Sequence, residues 1–399
     1  MKIGILTYHF VSNFGANLQT LSTYKYIENA GHTPVIINWV PEDLEKYYQK
    51  VVSFEQNLAH SNFGKRYYTN ITPICRTSQQ IASEIDSNEI DLVIIGSDAV
   101  FTYVPPLSRI HLCRKGIIYS KPCIDSDFPN PFWGDFRHYV KRPIKVAAMS
   151  ASAQNTEYKK IIGRQLKRAF AKAIYAFDYI SVRDIWTQEM LCYLTNGDVV
   201  PEITPDPVFA FQNNVKPAKT DYIKRHLNVD GKYVLVSLTG KYVNHAWLIQ
   251  LENLFADSGI TVIGLPQTNK AFSPVLKHNV KFPLDPIDWY NLIRESSGYI
   301  GELMHPVLVS LHNSVPVYVF DKYGFKNFGN FDVKSSKTFQ IMNRFGLKSN
   351  YYNVISHSNF PTPDEVLNSI LTFDIKKCTK NASTRLEEYN VMMNNILNL

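Results

Sequence analysis

Residues 92–101 read LVIIGSDAVF, and this stretch decides the fold class. The unbroken apolar run Leu92 to Ile95, rich in β-branched side chains, has the pattern of a strand buried on both faces, as in parallel sheets covered by helices. It ends in Gly96-Ser97-Asp98, so a flexible turn presents a hydroxyl and a carboxylate at the strand's C-terminal end. In open α/β sheets that edge is where ligands bind.

Working outward, the same alternation recurs on both sides. Lys2 to Thr7 reads as the first strand, and the loop Tyr8 to Gly15 leads into a helix over Ala16 to Ala30, where Leu18, Leu21, Tyr24 and Ile27 recur at helical spacing. Gly31 stops that helix, and Pro34 to Trp39 is the second strand. Residues 41–78 are polar, aromatic and irregular, and read as a mobile insertion before a helix near Ser78 to Ser87. Beyond the quoted stretch, Tyr103 to Arg142 is proline-rich with little periodicity, the mark of a long functional loop. Lys145 to Ser150 returns to strand, Glu157 to Phe177 is a basic amphipathic helix, and Tyr179 to Val182 is a strand ending at Arg183.

Prolines and aspartate in Pro201 to Pro207 mark a linker, after which a second series follows. Its strands are Tyr233 to Ser237, Thr261 to Leu265, Gly298 to Gly301 and Val317 to Phe320, with helices near Ala246 to Ala256, at Pro286 to Glu295 and from His305. The expected architecture is therefore α/β, with two doubly wound Rossmann-like domains facing across a cleft. The expected division is residues 1–205 and 206–382. A last helix over 383–399, suggested by a capping-box arrangement of Ser383, Thr384 and Glu387, is placed to pack back on the first domain.

At 399 residues the chain exceeds what one core usually supports. Its formal charge of +7 is dispersed, which suits small anions or an anionic surface and argues against nucleic acid. Five cysteines (Cys75, Cys113, Cys123, Cys192, Cys378) without a CxxC pair point to a reducing compartment. The N-terminus reads as a core strand and not as a signal peptide, and no window has 18 uninterrupted apolar residues, so a cytoplasmic protein is expected, with peripheral contact at the inner face of the membrane left open. The sequence contains no GxGxxG after the first strand, no GxxxxGK[ST] and no HExxH or paired-cysteine zinc spacing, so neither a dinucleotide site, a P-loop nor a metal is expected.

Four constellations can carry chemistry. Asn13-Phe14-Gly15-Ala16-Asn17 places a glycine and free amides at a helix start, which suits sugar hydroxyls or anions and equally a plain structural turn. Asp98, beside Ser97, is either a helix N-cap or a hydrogen-bond acceptor and base for a sugar hydroxyl. Arg183, at a strand end, is either a fork for phosphate or carboxylate or the partner of Asp184 or another acid. His305, in the first turn of a helix after Gly301-Glu302-Leu303-Met304, is either a buried structural histidine or an anion-coupled proton donor. Lys322 and Lys326 follow the next strand and would add positive charge to the same cleft.

Several segments resemble the polysaccharide pyruvyl transferase family in the same order: HFVSNFGANLQTL, IIGSDAVF, VAAMSASAQ, DYISVRDIWTQEML, PDPVF and DWYNLIRESSGYIGELMHPVLVSLHNSVPVYVF. The resemblance runs from Met1 to about Leu347. It implies a fold similar to GT-B glycosyltransferases and a reaction in which phosphoenolpyruvate donates pyruvate to two hydroxyls of a hexose, forming a cyclic ketal on a capsule or exopolysaccharide precursor. A galactose-type acceptor, free or in a lipid-linked oligosaccharide, and no cofactor beyond the phosphoenolpyruvate co-substrate are expected. The first domain would then be the acceptor side and the second the donor side. By position, Arg183 and His305 would bind the donor, His305 would also transfer the proton, and Asp98 would lie near the acceptor with Asn13, Gly15, Asn17 and Ser97. Many relatives carry a polar or basic residue two positions before the histidine and glycine after it, where this chain has Leu303 and Pro306. The alternatives are a GT-B-like glycosyltransferase using a nucleotide sugar and a non-catalytic carbohydrate-binding relative.

Overall fold

Two parallel sheets of six strands organise the chain, seen in a computed structural model that describes residues 1–113, 116–238, 243–268, 276–322, 324–327, 330–355 and 359–399. In the first sheet the strands lie in the order Thr33–Ile36, Lys2–Leu6, Leu92–Asp98, Lys145–Ala151, Tyr179–Val182, Glu202–Ile203. In the second the order is His278–Asn279, Ile260–Gly264, Lys232–Ser237, Gly298–Gly301, Val317–Asp321, Tyr351–Asn353. Every pairing within both sheets is parallel. Ile94 and Ile95 are fully buried, as the uninterrupted apolar run requires of a strand covered on both faces.

Each sheet has one place where the chain reverses its direction of winding. In the first it lies between Lys2–Leu6 and Leu92–Asp98, and in the second between Lys232–Ser237 and Gly298–Gly301. Loops diverge at such a switch point and leave a crevice at the C-terminal strand ends. Asn13 and Gly15 follow the first of these strands, Asp98 closes the second, and His305 follows the fourth.

The insertion expected to be irregular is two helices, Glu42–Val51 and Phe54–Tyr67. Acidic residues Glu42, Asp43 and Glu45 occupy the first turn of one, and Ser53 caps the other by accepting from Gln56 N. The second helix is docked on the far half: Gln56 exchanges two hydrogen bonds with the Leu284 backbone, at 2.9 and 2.8 Å, and Arg66 pairs with Asp285. The helix expected from Glu157 begins only at Arg164 and ends at Tyr175, after a short turn at Tyr158–Lys160. The terminal helix starts at Ile375, capped by Asp374, well before the Ser383 and Thr384 capping box, and runs to Leu397.

One apolar core crosses between the halves. Helix Phe14–Asn29 contributes Phe14, Leu18 and Leu21 to the same cluster as Trp289, Tyr290 and Val307. Phe14 stacks on Trp289 with ring centroids 5.0 Å apart and planes 8° from parallel. The terminal helix closes the other side, where Tyr389 meets Tyr26 edge-on and the Met392 sulfur accepts from Ser150 and Ser181 of the first sheet. Among the described residues no helix is long and apolar enough to cross a membrane. Cys75, Cys123, Cys192 and Cys378 are free thiols.

Candidate active site

The strand that carries the GSD turn ends in a backbone shape that few side chains adopt. Asp98 has φ of 77°, in the left-handed region, and its carbonyl accepts from Ser152 N at 2.8 Å. Such a conformation costs about 1–3 kcal/mol and persists where surrounding structure imposes it. No helix follows Asp98, so the capping alternative is not realised. Its carboxylate instead faces a cleft of about 480 Å³, shared with Asn13, His305 and Lys337.

Behind Asp98 sits Arg183. Its side chain is only 4% exposed; it pairs with Asp206 and stands 3.5 Å from Asp98. Asp206 also accepts from Gln19. Asp184, the neighbour first considered as a partner, is occupied as a helix cap, accepting from Thr187 N and from the Ser152 hydroxyl. Arg183 therefore does not line the cleft, and the expectation that it reaches the donor directly does not match its burial. It lines a separate small cavity of about 30 Å³, with Arg344 and Arg385.

His305 lies in the first turn of helix Met304–His312, with Leu303 at the cap position and Pro306 third in the helix, where no N–H is required. Its ring lies flat against Gly15: an added Cβ there would fall 2.0 Å from His305 Cγ and 2.1 Å from Nδ1. Nε2 is buried without a hydrogen-bond partner among the described residues. Burial lowers the imidazole pKa, Asp206 and Asp98 oppose that, and Arg183 and Lys337 reinforce it, so the free protein holds His305 neutral.

The remaining predicted residues separate clearly. Asn13 caps its helix, accepting from Ala16 N at 3.2 Å, and lines the cleft. Asn17 is buried and bonded to the His9 carbonyl and to His60, and Ser97 is buried and donates to the Ser150 carbonyl at 2.9 Å, so neither meets the cleft. Lys322 is paired with Glu302, and Glu302 itself lines the cleft. Lys326 lies in the strand Phe325–Asn327, whose side chains are outside the described part.

Two groups that sequence reasoning missed complete the cleft. Lys337 opens helix Lys337–Arg344, after the cap Ser336. Burial, then Arg183, push its ammonium down to about 8, against Asp98, Asp184 and Asp206. The signal was present: a lysine at a helix N-terminus stands where the dipole disfavours a cation. Asp125, in the short turn Ile124–Ser126 of the proline-rich loop, accepts from the Tyr8 hydroxyl at 2.7 Å. Burial raises its pKa and Asp43 adds to this, whereas the Tyr8 hydrogen bond acts the other way. For Asp98 burial alone would raise the pKa, but Arg183 foremost, with Lys337, outweighs it and holds the carboxyl below its usual range. One cleft thus contains a carboxylate held ionised, a carboxyl biased toward its proton, a neutral imidazole and a lysine of reduced pKa. That set can bind an anion at one end and exchange protons at neutral pH.

Among the described residues no cluster of His, Cys, Asp or Glu is arranged to hold a metal. Comparison with known sequences gives one family, polysaccharide pyruvyl transferase, matched over residues 13–321. The chain belongs to that family. No curated protein matches it. Among solved structures it is similar to the UDP-GlcNAc 2-epimerase from Neisseria meningitidis bound to UDP-GlcNAc, with a TM-score of 0.52, 8% identity and 100% of both chains covered. It is also similar to Arabidopsis thaliana UGT89C1 complexed with quercetin, with a TM-score of 0.50, 10% identity, and 100% of this chain and 98% of the other covered. At such identities the likeness is one of fold, and it agrees with the GT-B-like arrangement of two facing α/β halves expected from the sequence.

Proposed function

We propose that the protein transfers pyruvate from phosphoenolpyruvate to two hydroxyls of a hexose, forming a cyclic ketal on a capsule or exopolysaccharide precursor, with a galactose-type sugar as the favoured acceptor, free or lipid-linked. The observation that carries this reading is the meeting of Asp98, His305 and Lys337 on one cleft in a chain of this family. Phosphoenolpyruvate is polyanionic and needs fixed positive charge. Lys337 supplies it from the cleft wall, where this chain has Leu303 at a position that is polar or basic in many relatives.

A bound phosphate beside His305 favours the imidazolium, so donor binding charges the group that must then give its proton to the methylene carbon. A placed acid of this kind contributes about a hundredfold to ten-thousandfold. Positive character then develops at the carbon that becomes the ketal centre. Asp98, kept ionised by Arg183 behind it, offsets that charge and orients the first attacking hydroxyl. Arg183 acts here as a positioning residue for Asp98.

The test is incubation of the full chain with phosphoenolpyruvate and nitrophenyl glycosides of galactose, glucose and mannose, followed by mass spectrometry and phosphate assay. A pyruvate ketal on one of them is the expected result. No ketal, with phosphate release at background and thermal stabilisation by a nucleotide sugar instead of phosphoenolpyruvate, overturns the reading.

A further inference from the structure

Part of the cleft lining has its own character. Tyr8, Tyr48, Cys123 and Asp125 line it, with Ser126 beside them. Asp125 is 9% exposed, and among the described residues no cation pairs with it. Its neighbours on every side are neutral or acidic. Tyr8 donates to it from the loop after the first strand, and Tyr48 and Asp43 approach from helix Glu42–Val51. Cys123 lies on its own turn, and the nearby Arg109 is taken up by Asp127 at 2.7 Å.

The turn is fixed from outside, because Ile124 N donates to Asp43 and Asn130 Nδ2 donates to the Asp125 carbonyl. A buried carboxyl without a cation is costly unless it has a task or takes a proton. Two phenol side chains beside a lone acid suit a sugar: aromatic surface for its apolar patches, and a strong acceptor for a hydroxyl.

We infer that Tyr8, Tyr48 and Asp125 form the acceptor subsite, in which Asp125 takes the proton of the sugar hydroxyl that closes the ketal ring. This rests on the pyruvyl transfer proposed above. Ketal formation from phosphoenolpyruvate and a diol breaks the π bond of the donor's C=C, the bond between carbon and the phosphate oxygen, and two O–H bonds. It forms one C–H bond, two C–O bonds and one O–H bond on the released phosphate, with no oxidation or reduction. One proton ends on the former methylene carbon, delivered by His305 and replaced by that of the first hydroxyl. The other leaves the second hydroxyl as its oxygen bonds to the same carbon, passes to Asp125, and is returned to the departing phosphate, which carries off the electron pair of its C–O bond. The division of labour matches the two environments: Asp98, surrounded by cations, is too weak a base for this step, and Asp125 is a stronger one.

The experiment compares wild type, Asp125→Asn and Tyr8→Phe as full chains, with phosphoenolpyruvate and the nitrophenyl glycosides, over pH 5 to 9. In wild type, turnover falls on the acid side as Asp125, whose pKa burial raises, takes up its proton, and is higher once it is ionised. Asp125→Asn, with an unchanged melting temperature, is expected to lose about a hundredfold or more in kcat, keep its KM for phosphoenolpyruvate within about threefold, and lose that rise. Tyr8→Phe removes a hydrogen bond that favours the carboxylate, so the rise moves to higher pH. A folded Asp125→Asn with wild-type kcat and pH profile, or one in which donor KM suffers as much as kcat, overturns the acceptor-base role while leaving the pyruvyl transfer standing. A wild type that transfers nothing overturns both.

Discussion

Gly15 and His305 are in van der Waals contact across the two halves, and no side chain larger than hydrogen fits at position 15 while the imidazole keeps its place. Glycine here is a matter of space. The conformation at this helix start is one that any residue adopts, so the need for glycine lies entirely in its neighbour.

Gly15→Ala is therefore expected to push the ring from its site. Overpacking of this kind costs about 1–3 kcal/mol of stability, and turnover should fall at least about tenfold, because a displacement near 1 Å is expensive in catalysis. Thermal melting and steady-state kinetics check both. A variant with normal activity would show that the ring position does not matter to the reaction.

Arg183 is the sole cation touching Asp206 and the nearest to Asp98 among the described residues. Arg183→Ala should destabilise the protein by about 3–5 kcal/mol, the usual result of leaving buried carboxylates unpaired. Protonation relieves the loss, so the deficit in denaturant midpoint should be larger at pH 7 than at pH 4. A stable Arg183→Ala with a selective defect in donor affinity would return this residue to direct donor contact.

Lys337 titrates near 8 in the free protein. Above that pH it loses its charge, so affinity for phosphoenolpyruvate should fall between pH 7 and 9. Lys337→Arg should remove this dependence and Lys337→Met should weaken binding at least about tenfold at pH 7. Titration calorimetry at both pH values decides it; equal affinity of wild type and Lys337→Met would remove Lys337 from the donor site.

Burial lowers the pKa of His305, and under the proposed function the donor phosphate favours its charged form. Binding at pH 7 should then draw in protons, measured as the dependence of calorimetric heat on buffer ionisation enthalpy. His305→Gln should lower that uptake. The same uptake in both proteins would mean that the imidazole does not change state.

The strand pattern was readable because the apolar runs are those of strands covered on both faces, and Tyr179–Val182 and Gly298–Gly301 lie where the periodicity puts them. The insertion at 41–78 was misread because its second helix is held by docking, through Gln56 and Arg66, on a segment more than two hundred residues away, which local periodicity does not show. The residues lining the cleft were legible where they sit at strand ends, as with Asp98 and His305. It was illegible for Asp125, since nothing local distinguishes an aspartate in a proline-rich loop until a tyrosine from the first strand's loop meets it. Asn17 and Ser97 lay in the expected motifs but spend their polar groups on the backbone, which no spacing announces.

Helix Phe14–Asn29 belongs to the first half by sequence and to the second by packing. If the two lobes swung apart like a clamshell, Phe14, Leu18 and Leu21 would be stripped of Trp289 and Tyr290, at about 1.5–3 kcal/mol for each large side chain returned to solvent. A widely gaping resting form is thereby disfavoured, and the proposed substrates would have to reach Asp98 and His305 without that shared core being opened.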